Sequence, residues 1–282
     1  MSADRIALGE FLRSRRDRLT PAQAGIVAFP GARRVPGLRK EELAVVAGLS
    51  PDYYSRLEQG RQANISAAVL ESLARALRLD ETERAHLLDL ADPPTPPRGN
   101  AGWAQRPDPG LLRVMTSLAH LPVILLGEGS VVLATNDLFT AVLRHLPDGS
   151  SFARFMFLDP LARSLIANWT DFAAASVAAL RREQGRRPFD TRLTALITEL
   201  READPDVERW WNDHTVRDYA SVTKHVRHPV VGDLTFTIES VTPPLDPDQR
   251  LVIYTVEPGS ETARLLPILS SWVKDAAATP VS

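Results

Sequence analysis

Between residues 39 and 61 the sequence reads RKEELAVVAGLSPDYYSRLEQGR, a stretch that gathers cations and short polar groups. Arg39 and Lys40 stand together, Ser50-Pro51-Asp52-Tyr53 form a polar run, Arg56 follows Asp52 after about one helical turn, and Arg61 closes the stretch. A guanidinium offers donors in a planar fork, which suits guanine O6 and N7 or a phosphate. Ammonium, hydroxyl and helix-terminal N–H groups suit phosphate oxygens. This is chemistry of hydrogen bonding to an anionic polymer, and no bond making is implied.

Reactive constellations are missing elsewhere. The chain has no cysteine, so disulfides and thiolate chemistry are excluded, and a reducing cytoplasm fits. His120, His214, His225 and His228 occur without an HExxH or facial-triad pattern, so structural roles are expected and no metal. The run GEGS at 127–130 lacks the Lys-Ser/Thr of a phosphate loop, and there is no GxSxG elbow. The expectation is a protein that is not an enzyme and carries no cofactor. The formal net charge of −2 hides an asymmetry, since residues 1–62 hold 11 Lys/Arg against 7 Asp/Glu. The excess cation surrounds the polar stretch. Apolar runs such as PVILL (122–126) fall far short of the roughly 20 residues that span a bilayer. No apolar signal core opens the chain. A soluble, cytoplasmic protein without a membrane partner is expected.

The elements that must position these residues follow from periodicity. Residues 92–110, DPPTPPRGNAGWAQRPDPG, contain six prolines and three glycines and read as a semi-rigid linker between two domains. Residues 1–91 are helical throughout: 6–19, 39–47, 50–59, 66–77 and 80–91 each carry an apolar stripe, and Ser66 and Asp80 stand at helix starts. About five short helices make an all-α domain. Residues 111–282 change pattern. A hairpin is expected around Gly127-Glu128-Gly129, then a helical block over roughly 137–214. Residues 233–241 alternate as a half-covered strand, 250–257 are apolar on both faces, and a last helix takes 261–273. That order predicts an α+β domain with helices packed on one face of a curved antiparallel sheet.

Within the first domain, the helix 39–47, a turn at Gly48-Leu49 and the helix 50–59 form a helix–turn–helix. Glycine suits the positive φ that ends the first helix, Ser50 caps the second, and Pro51 takes its first position. Leu43, Ala44, Leu49, Tyr54 and Leu57 close a small core. Ala44 is small because the two helices cross there. The stretch GLRKEELAVVAGLSPDYYSRLEQGRQANISAAVLESLARALRL resembles the Xre/Cro-type helix–turn–helix of repressors, through Glu42-Leu43-Ala44, Gly48, Ser50, Arg56-Leu57-Glu58 and Gly60. It is similar in particular to the MmyB-like regulators of actinomycetes, in which such a domain precedes a PAS-like ligand-binding domain. NWTDFAAASVAALR (168–181), WWNDH (210–214) and HPVVGDL (228–234) extend the resemblance along the second domain.

The resemblance implies double-stranded DNA as partner. Pro51, Asp52, Tyr53 and Arg56 would read base edges, and Arg39, Lys40, Ser50 and Arg61 would grip phosphates. Arg16 and Glu58 would form a structural ion pair. The insertion TPAQAGIVAFPGARRVP (20–36) lengthens the loop after the first helix and brings Arg33 and Arg34 as further cations for DNA. A PAS-like domain implies a small apolar, fatty-acid-like or secondary-metabolite ligand between helices and sheet. Phe155, Trp169, Phe172, Trp211 and Phe236 would line it, with His214 or Arg181 as polar handles; the plainer reading of each aromatic is core. Three readings compete for the second domain: a ligand sensor, a ligand-free dimerisation module, and an enzyme tethered to DNA. The first is favoured, with a homodimer on an inverted-repeat operator at the nucleoid. The last helix offers Leu265, Leu266, Ile268, Leu269 and Trp272 as the dimer surface.

Overall fold

The structure, a computed structural model, describes residues 3–27, 29, 35–62, 64–92, 105–216, 222–243, 246 and 248–278. Arg33, Arg34 and most of the proline-rich segment lie outside the described residues. The chain forms two compact units. The first comprises Met1–Pro97 with Ala178–Thr194 and Arg209–Asp218, and the second Arg98–Val177, Ala195–Glu208 and Tyr219–Ser282.

In the first unit, residues 1–91 form α1 (Ala3–Arg18), α2 (Pro21–Ala24), α3 (Lys40–Ala47), α4 (Pro51–Glu58), α5 (Ala67–Ala76) and α6 (Glu81–Ala91). Each boundary has a local cause. Thr20 and Gln23 close a capping box on α2, inside a stretch expected to be loop. Gly48 ends α3 at φ 68°, a conformation that a side chain would strain. Ser50 Oγ accepts from Tyr53 N at 3.2 Å, with Pro51 at the first helical position of α4. Asp80 and Glu83 cap α6 reciprocally, Glu83 N donating to Asp80 Oδ1 at 2.8 Å. The helices bury Leu8, Phe11, Leu12, Leu38, Leu43, Ala44, Tyr54, Leu57, Leu73 and Leu87 in one core, to which Val216 also belongs. The α1–α4 crossing is as close as backbone allows. A Cβ on Gly9 would stand 2.3 Å from the Glu58 carbonyl oxygen, so only glycine fits.

The second unit is built on a five-stranded antiparallel sheet of β1 (Val123–Leu126), β2 (Val132–Thr135), β3 (Val222–His228), β4 (Gly232–Val241) and β5 (Arg250–Thr255), in the order β2-β1-β5-β4-β3. The expected hairpin is present, with a short 3-10 turn at Glu128–Ser130. The strand read as apolar on both faces, β5, is the central one, and its four middle residues are all buried. Helices α8 (Asp137–Val142), α9 (Phe152–Leu158), α10 (Pro160–Leu165), α11 (Trp169–Arg186), α12 (Thr191–Ala203) and α13 (Pro205–Asn212) fill the block between β2 and β3. Register settles the faces. Lys224 opposes Phe236 and Ile238 opposes Tyr254, so Val222, Lys224 and Val226 share a face with Leu234, Phe236, Ile238 and Tyr254.

The helical cover is not confined to one face. Alternation sends Val123, Leu125, Leu251 and Ile253 to the opposite side from Tyr254, where they pack with Leu111 and Met115 of α7 (Pro109–Ser117). That helix opens inside the expected linker, because Asp108 caps it and prolines are tolerated at a first position. The last helix, α14, runs Glu261–Ala278. Leu266 and Leu269 are buried, so of the proposed dimer surface only Ile268 and Trp272 stand clearly outward.

Candidate functional site

The α3–α4 pair presents its polar face through a turn that leaves little freedom. Tyr54 and Leu57 point inward, so helical periodicity puts Pro51, Asp52 and Arg56 in solvent, with Tyr53 half-buried at the margin. Arg56 lies 3.3 Å from Asp52 in an exposed i,i+4 bridge. Such pairs hold side chains weakly, about 0.3–0.5 kcal/mol, and leave the guanidinium available. Ser50 accepts from the helix backbone, while its hydroxyl hydrogen remains a donor. Arg61 is exposed just beyond Gly60.

Lys40 has a different setting. Its Nζ lies 3.2 Å from Glu58 Oε2, and that carboxylate also takes Arg16 Nε on Oε1 at 2.6 Å. Arg16 further donates to the Leu38 carbonyl at 2.7 Å. Burial pushes the Glu58 carboxyl up, but hydrogen bonding and charge from Arg16, with Lys40 beyond, outweigh it and hold it below the usual range. The Arg16–Glu58 pair is thus structural, and it partly neutralises Lys40. Arg39 lies at the α3 N-terminus, where its N–H donates to Glu42 Oε2 at 2.8 Å. The other Glu42 oxygen accepts from Phe29 N at 2.9 Å, so one fully buried carboxylate ties the inserted loop to α3. Sequence reasoning missed that role, although an acid three residues after the helix start is a capping signal.

The seven residues proposed for the ligand divide between the units. Arg181, Trp211 and His214 belong to the first. There Arg181 donates to the Trp211 carbonyl, stacks over the Trp211 ring at 4.2 Å, and lies 3.2 Å from His214 Nδ1. Arg15 donates to the His214 carbonyl and to Glu83. Burial, then the charges of Arg181 and Arg15, push His214 down to about 4. The same causes push His86, edge-on to Phe11, down to about 3. These groups are engaged with one another within the first unit.

Phe155, Trp169, Phe172 and Phe236 lie in the second unit and are buried. Trp169 donates Nε1 to the Met156 carbonyl at 2.8 Å and carries the Arg163 guanidinium 3.7 Å above its ring. Phe155 tilts against Phe152 at 6.0 Å, and Phe236 meets Tyr254 edge-on at 5.6 Å. The Phe172 ring centroid lies 3.8 Å from Lys224 Nζ, a group that the sequence did not single out. The histidines take local roles: His225 Nδ1 lies 3.0 Å from Thr235 Oγ1, and His228 Nε2 lies 3.0 Å from the Ala141 carbonyl. Among the described residues no His/Asp/Glu group is arranged to hold a metal ion, and no helix is long and apolar enough to cross a membrane.

Comparison with known families agrees with this division of labour. A helix-turn-helix domain family matches residues 7–87. The ligand binding domain of MmyB-like transcription regulators matches residues 107–269, more than half of the chain. The chain belongs to the MmyB-like transcription regulators. No curated protein matches it in sequence. Among solved structures, an RNA-binding light-oxygen-voltage receptor aligns at 11% identity and a TM-score of 0.23. That alignment covers 85% of this chain but 63% of the receptor, so the regulator spans less than two thirds of the receptor's length; a likeness so low carries no argument. This MmyB-like regulator is a DNA-binding transcription regulator with a helix–turn–helix domain and an MmyB-like ligand-binding domain.

In this regulator, the signal that would have found Lys224 is alternation. VTKHVRH (222–228) is a strand whose inward positions are Val222, Lys224 and Val226, and the lysine interrupts an otherwise apolar face.

Proposed function

We propose that this regulator binds an inverted-repeat operator as a cytoplasmic homodimer, and that a small apolar ligand in its second unit alters that binding. Pro51, Asp52, Tyr53 and Arg56 read base edges in the major groove, and Arg39, Lys40, Ser50 and Arg61 hold phosphates. One observation carries the reading. The first turn of α4 is polar and solvent-facing, while Tyr54 and Leu57 on its other side lock the helix to a core. A helix so presented is the kind that enters a major groove with its N-terminal residues leading. Pairing of two subunits is supported by need, since one short helix reads too few bases for genomic specificity. The outward Ile268 and Trp272 of α14 supply an apolar surface for it. Phe155, Trp169, Phe172 and Phe236 support an apolar ligand.

The experiment is selection of duplexes from a random pool by the purified chain, followed by titration of the selected duplex with and without decanoic acid. Two inverted half-sites about one helical turn apart are expected. Affinity should change about fivefold or more with ligand, as typical couplings do. Selection without sequence enrichment would overturn the base-reading assignment. Unchanged affinity at saturating ligand would leave the second unit as a dimerisation module.

A further inference from the structure

Two stretches distant in sequence from the helix–turn–helix, 178–194 and 209–218, pack in the first unit. The helix α11 is shared as a result: its residues up to Val177 belong to the second unit, and those from Ala178 to Arg186 belong to the first. Its last turn meets α6 at Gly185. A Cβ there would stand 2.6 Å from His86 Cε1 and 2.9 Å from His86 Nδ1. That ring is buried and edge-on to Phe11 of α1 at 5.1 Å, which leaves it little room to retreat. Alanine is the better helix former, so a glycine at this position is explained by the close approach and not by the helix.

The turn after α13 holds the C-terminal end of α1. Arg15 donates to the His214 carbonyl and Arg18 to the Asp213 carbonyl, with Arg18 also 3.2 Å from Thr215 Oγ1. Val216 enters the core of the first unit. His214 itself adopts φ 51°, a left-handed backbone that a side chain keeps only where its surroundings hold it. Arg181 of α11 ties the two stretches together, donating to the Trp211 carbonyl and lying 3.2 Å from His214 Nδ1. None of these residues belongs to the polar face of α4. They hold α1, and α1 fixes α4 through Gly9 against the Glu58 carbonyl and through the Arg16–Glu58 pair at 2.6 Å. Packing that close transmits a shift of α1 to α4, because it leaves no slack to absorb it.

We infer that Ala178–Arg186 and residues 213–216 form a clasp on α1 and α6, and that this clasp, with Gly185 as its contact point, conveys the state of the second unit to the reading helix. The inference rests on a ligand of the second unit altering operator binding, and it names the residues that couple the two events. Gly185, Arg18 and Thr215 are positioning residues, since they act on α4 only through α1 and α6.

The test measures operator affinity with and without decanoic acid, together with the shift in unfolding midpoint that decanoic acid produces. It compares the full chain with its Gly185→Ala and Arg18→Ala/Thr215→Ala variants. The natural sequence is expected to change operator affinity about fivefold and to show the thermal shift. Both variants should keep the thermal shift and a ligand-free operator affinity within about twofold of the natural sequence, while their response to decanoic acid falls below about twofold. Removing the obstructing ring, in Gly185→Ala/His86→Ala, should bring the response back to about threefold or more. Arg18 is exposed, so its variant carries the test should Gly185→Ala fail to fold. A full response in both variants would overturn the clasp and leave the sensor reading intact. Loss of the thermal shift or of ligand-free operator binding in a folded variant would overturn it as well, by showing that these residues serve the ligand site or the fold. No response of the natural sequence to decanoic acid would overturn the sensor reading and the clasp with it.

Discussion

Removal of one member of the Arg16–Glu58 pair should unfold much of the first unit's stability. Both side chains are nearly inaccessible, at 4% and 3%, with Nε and Oε1 2.6 Å apart. Arg16→Met leaves Glu58 buried with only Lys40 at 3.2 Å, and strands the Leu38 carbonyl that Arg16 served. Breaking a buried pair in this way costs about 3–5 kcal/mol. A domain of this size is stabilised by roughly 5–15 kcal/mol, so the loss is a large fraction of the total. At about 4–8 °C per kcal/mol for 60–100 residues, the midpoint should fall by about 12 °C or more. Glu58→Leu should cost as much, because it leaves two cations facing an apolar side chain. The double variant Arg16→Met/Glu58→Leu should cost less than the sum of the singles by about 2 kcal/mol, within the range for contacting residues. Urea unfolding followed by circular dichroism, with all three variants on the same m-value, measures each term. A single-variant loss below about 1 kcal/mol, the worth of a solvated pair, would refute the reasoning.

Arg56→Ala should cost about 1–3 kcal/mol on the selected operator and relax preference at one base pair, and equal losses on cognate and random DNA would argue against base reading. Arg61→Ala should weaken all DNA alike and flatten the slope of log affinity against log salt by about 0.9, whereas Lys40→Ala should flatten it less because Glu58 already neutralises that ammonium; equal slopes would place Lys40 on the phosphates after all. His86 sits at about 3 in the folded chain against 6.5 in the unfolded one, so its contribution is intact above pH 6.5 and falls by about 1.4 kcal/mol per unit of pH below it, until about pH 3. His86→Gln should remove that slope between pH 6.5 and 5.5, as urea titrations at the two pH values would show; an unchanged slope would mean another group carries it. The Ile268→Glu/Trp272→Glu variant should sediment as a monomer, and a persistent dimer would move the interface elsewhere.

What was legible in the sequence is what local chemistry encodes. Gly48, Ser50 and Pro51 state a turn and a helix start in their own side chains, and the structure places each in that role. Ala44 is fully buried beneath the α3–α4 turn. The helix α2 was hidden only by reading its neighbourhood as loop, for Thr20 and Gln23 are a visible capping box. The strand β3 was harder, because Lys224 breaks the apolar alternation that identifies strands. Least legible was the membership of Arg181, Trp211 and His214 in the first unit. Nothing in the local spacing of those residues says which core they will join, since amphipathic helices specify that they pack and not against what. Arg181 and His214, expected as polar handles, pack instead with Trp211 in the first unit's neighbourhood of Arg15.

Two of the buried basic side chains, Arg16 and Lys224, are treated differently by folding. Arg16 is provided for, with a carboxylate at 2.6 Å and a carbonyl at 2.7 Å, both from elements that must be adjacent for the helix–turn–helix to close. Its charge is satisfied by folding alone, so it needs no ligand and can serve as a fixed strut behind α4. Lys224 is not provided for: folding brings it a phenol and three rings but no anion. Burial holds its pKa well below the ordinary lysine range, which favours the neutral amine, and the phenol takes its hydrogen bond. A ligand of the second unit reaches DNA affinity only if the bound form favours one arrangement of the reading helices over another, because a ligand shifts an equilibrium by no more than its unequal affinity for the two states. Sensing and reading thus make separable demands. Phe172→Trp, which crowds the interior beside Lys224, should abolish the response to decanoic acid without touching operator binding in its absence, and operator titrations of that variant, with and without decanoic acid, test both halves at once. Loss of ligand-free operator binding in a folded Phe172→Trp protein would show that this interior supports the DNA-competent arrangement itself and does not serve the ligand alone.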